Sequence, residues 1–177
     1  MASCGWKVTA PSHPPGGTPR RIAPRVLLKV DDAGVAWGAG QLGEIVRDTL
    51  RATDVFGEVA YPVEPRTPTP LRLTIIATGA VDEEVALGVV KAVFIGLLFM
   101  LPAGIIRFGK TFDLEATVTL TNAGQELKRF QVKTSTYVSH TMFSHSDQYE
   151  PEARRVAFRD LGERIAVALN GVTVPAP

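Results

Sequence analysis

Cysteine is almost absent: Cys4 is the single one in 177 residues. No disulfide can close within the chain, and a cysteine-built zinc site inside one copy is out of reach. A charge excess is missing as well. The 19 Lys and Arg against 18 Asp and Glu leave a formal net charge of +1, so no global field calls for nucleic acid as a partner. Aromatic residues are few and internal repeats are absent. What remains is an ordinary globular composition, long enough for one domain with a real core.

The position of the cysteine says more than the count. Ala2-Ser3-Cys4-Gly5 resembles the end of a bacterial lipoprotein signal, where a small-small-Cys run is cut before the cysteine and the cysteine is lipidated. The charged and apolar parts of such a signal are not in this sequence. Behind Cys4, Gly5 to Pro24 holds Pro11, Pro14, Pro15, Pro19 and Pro24 with Gly16 and Gly17. That composition reads as an extended tether. Residues 1–24 are therefore expected to be anchor and tether, 25–170 a single domain, and 171–177 a tail.

Arg25–Val30 predicts a first strand, closed by a turn at Asp31-Asp32. A helix follows from about Ala39 to Thr53, with Leu42, Ile45, Val46, Thr49 and Leu50 on one face. Val55 to Tyr61 is a short second strand, and Val63–Pro70 a proline-rich connector. Leu71 to Thr78 is a third strand. Phe112, Leu114, Ala116, Val118 and Leu120 alternate with polar residues, the cleanest period-two signal in the chain. Asn122 to Gln125 turns it into a partner strand over Leu127–Val138. A last helix is expected from Pro151, suited to a first helical position, to about Leu169, burying Phe158, Leu161, Ile165 and Leu169. The order predicts an α+β fold, a mixed β-sheet with two helices packed on one face and an apolar helical or hairpin insert. The first strand–helix–strand unit is expected to be parallel and right-handed.

Two local patterns suggest chemistry. Gly38-Ala39-Gly40-Gln41-Leu42-Gly43 matches G-x-G-x-x-G letter for letter. Seven residues, Asp31 to Trp37, separate it from its strand, and two of them are acids that would repel a phosphate. A flexible loop before a helix explains it better. His140, His145 and Asp147 could bind a metal or serve as base and orienter. Their spacing suits neither one helix face nor one strand face, and no glycine elbow marks Ser139 or Ser144 as a nucleophile. No cofactor is called for, and no catalytic residue stands out. Arg154, Arg155, Arg159 and Arg164 alternate with acids and read as a solvated helix face.

The insert is the unusual part. Val85 to Ile106 contains one charge, Lys91, and could span a bilayer core of about 30 Å as a helix. Gly96, Pro102 and Gly104 break it, it has no aromatic belt, and strands of one sheet flank it on both sides. A single span is therefore disfavoured, which leaves two readings: Glu84 to Leu101 as a core helix packed on the sheet, or a protruding helix or hairpin that dips into a bilayer or docks on a partner, the second favoured. A helix without a polar face needs burial on every side, and an exposed patch of this kind marks an interaction site. The contact residues expected to meet membrane or a partner are Val89, Val93, Phe94, Ile95, Leu97, Leu98, Phe99, Met100, Leu101, Ile105 and Ile106.

"RVLLKVDD", "GQLGEIVRDTLRATDVFGEVAY", "LRLTIIATG" and "FIGLLFMLPAGII" together resemble small bacterial envelope lipoproteins with a TolB-N-terminal-like or CsgG-like α+β domain, loosely over residues 22–170. The resemblance implies a non-enzymatic accessory domain on the periplasmic face of the outer membrane. Cys4 would hold lipid, and the insert would meet membrane, an envelope partner or a second copy of the chain. A homo-oligomeric envelope assembly and a metal- or ligand-binding module at the His140–Asp147 loop are the alternatives.

Overall fold

The alternating runs predicted at Leu71–Thr78 and Phe112–Leu120 form the middle of one sheet. The structure, a computed structural model, describes residues 6–9, 18–38, 40–62, 69–83, 91–93, 106–141 and 144–174. Along these, β1 is Trp6–Thr9, β2 Ala23–Val35, α1 Leu42–Ala52, β3 Phe56–Ala60, β4 Leu71–Glu83, β5 Arg107–Asn122, β6 Gln125–Thr141 and α2 Ser146–Ala168. The six strands lie in the order β1-β6-β5-β4-β2-β3. β2 is parallel to both β3 and β4, and the remaining pairs are antiparallel. The fold is α+β, as the order of elements predicts.

Register sets the core. Leu73 faces Leu120, Ile75 faces Val118 and Ala77 faces Ala116. Val132, Thr134, Thr136 and Val138 continue that face across β6, and all of these side chains are buried. Leu42, Val46 and Leu50 of α1 and Phe158, Leu161, Ile165 and Leu169 of α2 close over it, each fully buried. Burial of such side chains stabilises by about 1.5–3 kcal/mol apiece. The helices touch where Gly162 meets Thr49: a Cβ on Gly162 would sit 2.9 Å from the Thr49 Cβ. The opposite face is mostly polar, with Arg72, Thr74, Thr117, Gln131, Lys133 and Ser135, and it also carries Leu27 and the exposed Ile76 and Tyr137.

Four expectations need correction. Trp6–Thr9 is not tether; it pairs with Tyr137–His140 as an edge strand, and β2 begins already at Ala23. Asp31-Asp32 is not a turn. β2 passes through it on a bulge between Asp31 and Gly34 and pairs on to Val35 opposite Gly79; the Asp31 carboxylate accepts the Ala33 N–H at 3.2 Å, which satisfies backbone freed by the bulge. The hairpin strands run further than predicted at both ends. Finally, α2 starts at Ser146, so Pro151 lies inside it. The proline removes one backbone bond, but Tyr149 and Glu150 in the preceding turn are tied to the sheet and hold that turn in place.

Candidate functional site

The glycine pattern is a packing device. Trp37 lies flat on Phe158, centroids 5.3 Å apart, and meets Phe112 edge-on at 5.3 Å. Gly38 lets the chain pass beneath that stack, since a Cβ there would lie 2.5 Å from the Phe158 Cζ. Gly43 leaves room for the Tyr61 ring in the same way, at 2.1 Å. Gly40 has a φ of 88°, a conformation that glycine adopts without strain. The Gly40 N–H, ahead of α1, donates to the Asp32 carboxylate at 2.7 Å, so an anion's place near the helix start is filled from within. Burial, then Asp32 and Glu44, raise the pKa of Tyr61 above the ordinary tyrosine value. Gly38→Ala should cost about 1–3 kcal/mol in urea unfolding, the usual effect of overpacking. A loss below a few tenths would mean that the aromatic stack yields freely.

The histidines do not converge. The His140 ring is stacked between Phe108 at 5.8 Å and Tyr149 at 4.9 Å, with Nδ1 3.3 Å from the Thr141 carbonyl. His145 occupies the N-cap position of α2 without a side-chain cap hydrogen bond, and Asp147 is exposed in the first turn, where a carboxylate suits the helix dipole. Among the described residues no three His, Cys, Asp or Glu side chains form a metal-holding group. His140 serves to dock α2 on β5 and β6. A recess of about 690 Å³ is lined by Asp113, Glu115, Lys133 and Ser135 among others, but Glu115 and Lys133 already pair there at 2.9 Å.

Lys110 strengthens the same docking. Its Nζ donates to Glu150 of α2 at 2.8 Å and lies 3.1 Å from Glu83 of β4, 5.5 Å above the Phe112 ring. Burial alone would lower the pKa of Lys110; hydrogen bonds to Glu150 and Glu83 outweigh it and raise the value above the ordinary one. The clasp therefore contributes stability fully below the unfolded-state pKa and loses it as pH rises through the folded-state value. Lys110→Met should lower Tm by about 2–4 °C near neutrality, for a contribution of about 1 kcal/mol. The gap to the wild type should close in the alkaline range; a gap independent of pH would assign the loss to packing.

Glu83 and Lys110 are also the last pair of the β4–β5 ladder. The apolar insert runs between these strands, so it leaves and re-enters at one end of the sheet. Of its expected contact residues, Val93 and Ile106 are described, and Val89, Phe94, Ile95, Leu97, Leu98, Phe99, Met100, Leu101 and Ile105 lie outside the described residues, as does Cys4. Val93 is 57% exposed in the short helical stretch Lys91–Val93. Lys91 Nζ donates to the Arg107 carbonyl at 2.7 Å and sits 5.9 Å over the Phe108 ring. Among the described residues no helix is long and apolar enough to cross a membrane.

No protein-family model and no curated protein matches the sequence. Solved structures do match. A minor lipoprotein from Acinetobacter baumannii aligns over 85% of this chain and 96% of its own, with a TM-score of 0.52 and 13% identity. The chain shares its fold with a bacterial lipoprotein. A neuraminyllactose-binding hemagglutinin homologue from Helicobacter pylori aligns over 90% and 93% at a TM-score of 0.49 and 11% identity. Rare lipoprotein B from Shewanella oneidensis aligns over 81% and 97% at 0.38 and 17% identity. The likeness is one of fold, and it carries no CsgG-like assignment.

Sequence reasoning missed β1 and the Lys110 clasp. The alternation of Trp6-Lys7-Val8-Thr9, half-buried and exposed in turn, was the available signal for the strand. The clasp joins residues from three elements and leaves no local pattern.

Proposed function

We propose that this protein is a non-enzymatic, lipid-anchored accessory protein of the bacterial envelope, at the periplasmic face of the outer membrane. Cys4 would bear the lipid, and the insert 85–106 would contact the bilayer or an assembly partner. The observation that carries the reading is the position of the insert. Its roots are Glu83, which ends β4, and Arg107, which begins β5, on neighbouring antiparallel strands, so it makes an excursion and returns. Of the two sheet faces, one is covered by α1 and α2 and the other is mostly polar, with Ile76 and Tyr137 as its exposed apolar side chains. An all-round apolar segment gains little from a polar face and needs burial elsewhere. A single lipid chain gives only marginal membrane binding, so a second apolar contact has a physical purpose.

The test is flotation of the Cys4→Ser protein with phospholipid vesicles, with and without residues 85–106. The shortened chain should keep its melting temperature, because Glu83 and Lys110 already stand opposite each other and can be joined by a turn, and it should lose flotation. Collapse of the fold on deletion would make the insert core and sink the reading.

A further inference from the structure

Resting on that reading, we infer that the domain stands on the bilayer with one defined end of its sheet: the end where β1 begins, β4 finishes and β5 begins. Trp6 of β1 is opposite His140 of β6, and His140 is opposite Phe108 of β5. These three residues form one row across the sheet. With strands about 4.8 Å apart, Trp6 and Phe108 are about 10 Å from each other. Arg107, at the returning root of the insert, is the next residue along β5, and Glu83, at its outgoing root, pairs with Lys110 on the same strand.

The covalent chain then constrains the anchor. Cys4 is two residues from Trp6, a reach of at most about 7 Å. A lipid on Cys4 therefore enters the bilayer beside the insert and in the same leaflet. Residues 10–22 connect β1 to β2 and act as no spacer between lipid and domain. The domain is held against the surface instead of hanging from a leash. The side chains at this end fit that position. Trp6 packs partly against the core and Phe108 stacks on His140; both stay half-buried, leaving part of each ring, of the type that sits at headgroup level, at this end. Lys7 and Arg107 are their chain neighbours and Lys91 lies over the Phe108 ring, with long stems that can keep their charges among the headgroups, beside the exposed Asp82 and Glu83.

The geometry also fixes what stays away. β5 runs 16 residues from Arg107 to Asn122, about 50 Å at the usual rise. The Ala123-Gly124 turn at its far end is exposed and should stand that distance above the surface. Lys7 and Glu126 are both exposed and mark the two ends. Single cysteines at Lys7→Cys and Glu126→Cys, in the Cys4→Ser chain, can each take an environment-sensitive fluorophore. Vesicles of phosphatidylethanolamine and phosphatidylglycerol, with brominated acyl chains as quencher, are the probe.

The expected result is a several-fold rise in emission at Lys7→Cys, quenched by the brominated lipid, with Glu126→Cys unchanged. Flotation with equal responses at both ends, or a response at Glu126→Cys alone, overturns the orientation and leaves bilayer contact standing. Absence of flotation overturns both. An oligomer that ignores vesicles also overturns the orientation and assigns this end to a protein partner.

Discussion

Phe158→Ala is expected to lower the unfolding free energy by about 3–5 kcal/mol, the range for removing a large buried aromatic. Phe158 has no solvent exposure. It stacks on Trp37, and Gly38 is shaped to its ring. Removing the ring takes the stacking partner from Trp37, 8% exposed, and leaves its edge contact to Phe112 and its close approach to Gly79. The loss would be a large share of the roughly 5–15 kcal/mol typical of a domain. Phe158→Leu, which keeps most of the volume, should cost less than about 1.5 kcal/mol. Urea unfolding read by near-ultraviolet circular dichroism distinguishes the two. Equal, small losses would mean that the tryptophan stack contributes little and that the β2–α1 loop is held by other contacts.

The second large effect is expected at Asp160. Only 4% of this residue is exposed, yet its carboxylate accepts from the Thr134 hydroxyl of β6 and from Arg164 Nε, one helical turn on, at 2.6 Å. Asp160→Ala takes the acceptor from the buried Thr134 hydroxyl, at a cost of about 1–3 kcal/mol, and removes the ion pair to the half-buried Arg164. A loss of about 2–4 kcal/mol in chemical denaturation is expected. Replacing the whole group, Asp160→Leu with Thr134→Val and Arg164→Met, should recover most of it, because apolar isosteres of a buried charged group are often neutral or stabilising. A triple variant no better than Asp160→Ala would show that the carboxylate has further obligations in α2. The same seam contains Thr136, fully buried, whose hydroxyl finds no hydrogen-bond partner among the described residues. A polar interface of this kind specifies how α2 sits on β6 more than it adds stability.

How much of this was legible depends on how local the cause is. Phe112–Leu120 could be read because one face of β5 is buried along its length, which forces alternation into the sequence. The stripe of Phe158, Leu161, Ile165 and Leu169 could be read for the same reason in helical period. Trp6–Thr9 was obscured because four residues of alternation sit against a long proline- and glycine-rich stretch. Pro151 misled because proline favours a helix start, whereas Tyr149 on His140 and Glu150 on Lys110 secure an additional turn before it. Gly38 and Gly43 matched a phosphate-binding spacing while answering to Phe158 and Tyr61. In each case distant side chains decided, and no window of neighbouring residues contains them.

The edge position of β1 has a consequence in time. On a growing chain, Trp6–Thr9 is made before the other described strands, and its sole described neighbour in the sheet, β6 at Tyr137–His140, is made after them. Closing so long a loop carries an entropic cost that nearer pairings do not, and the β4–β5–β6 meander has only local loops to close. The N-terminal strand therefore waits, unpaired, until almost the whole chain exists. During that interval Trp6–Thr9 stays accessible, and the final zipping of β1 onto β6 adds an edge strand to a sheet that has already formed.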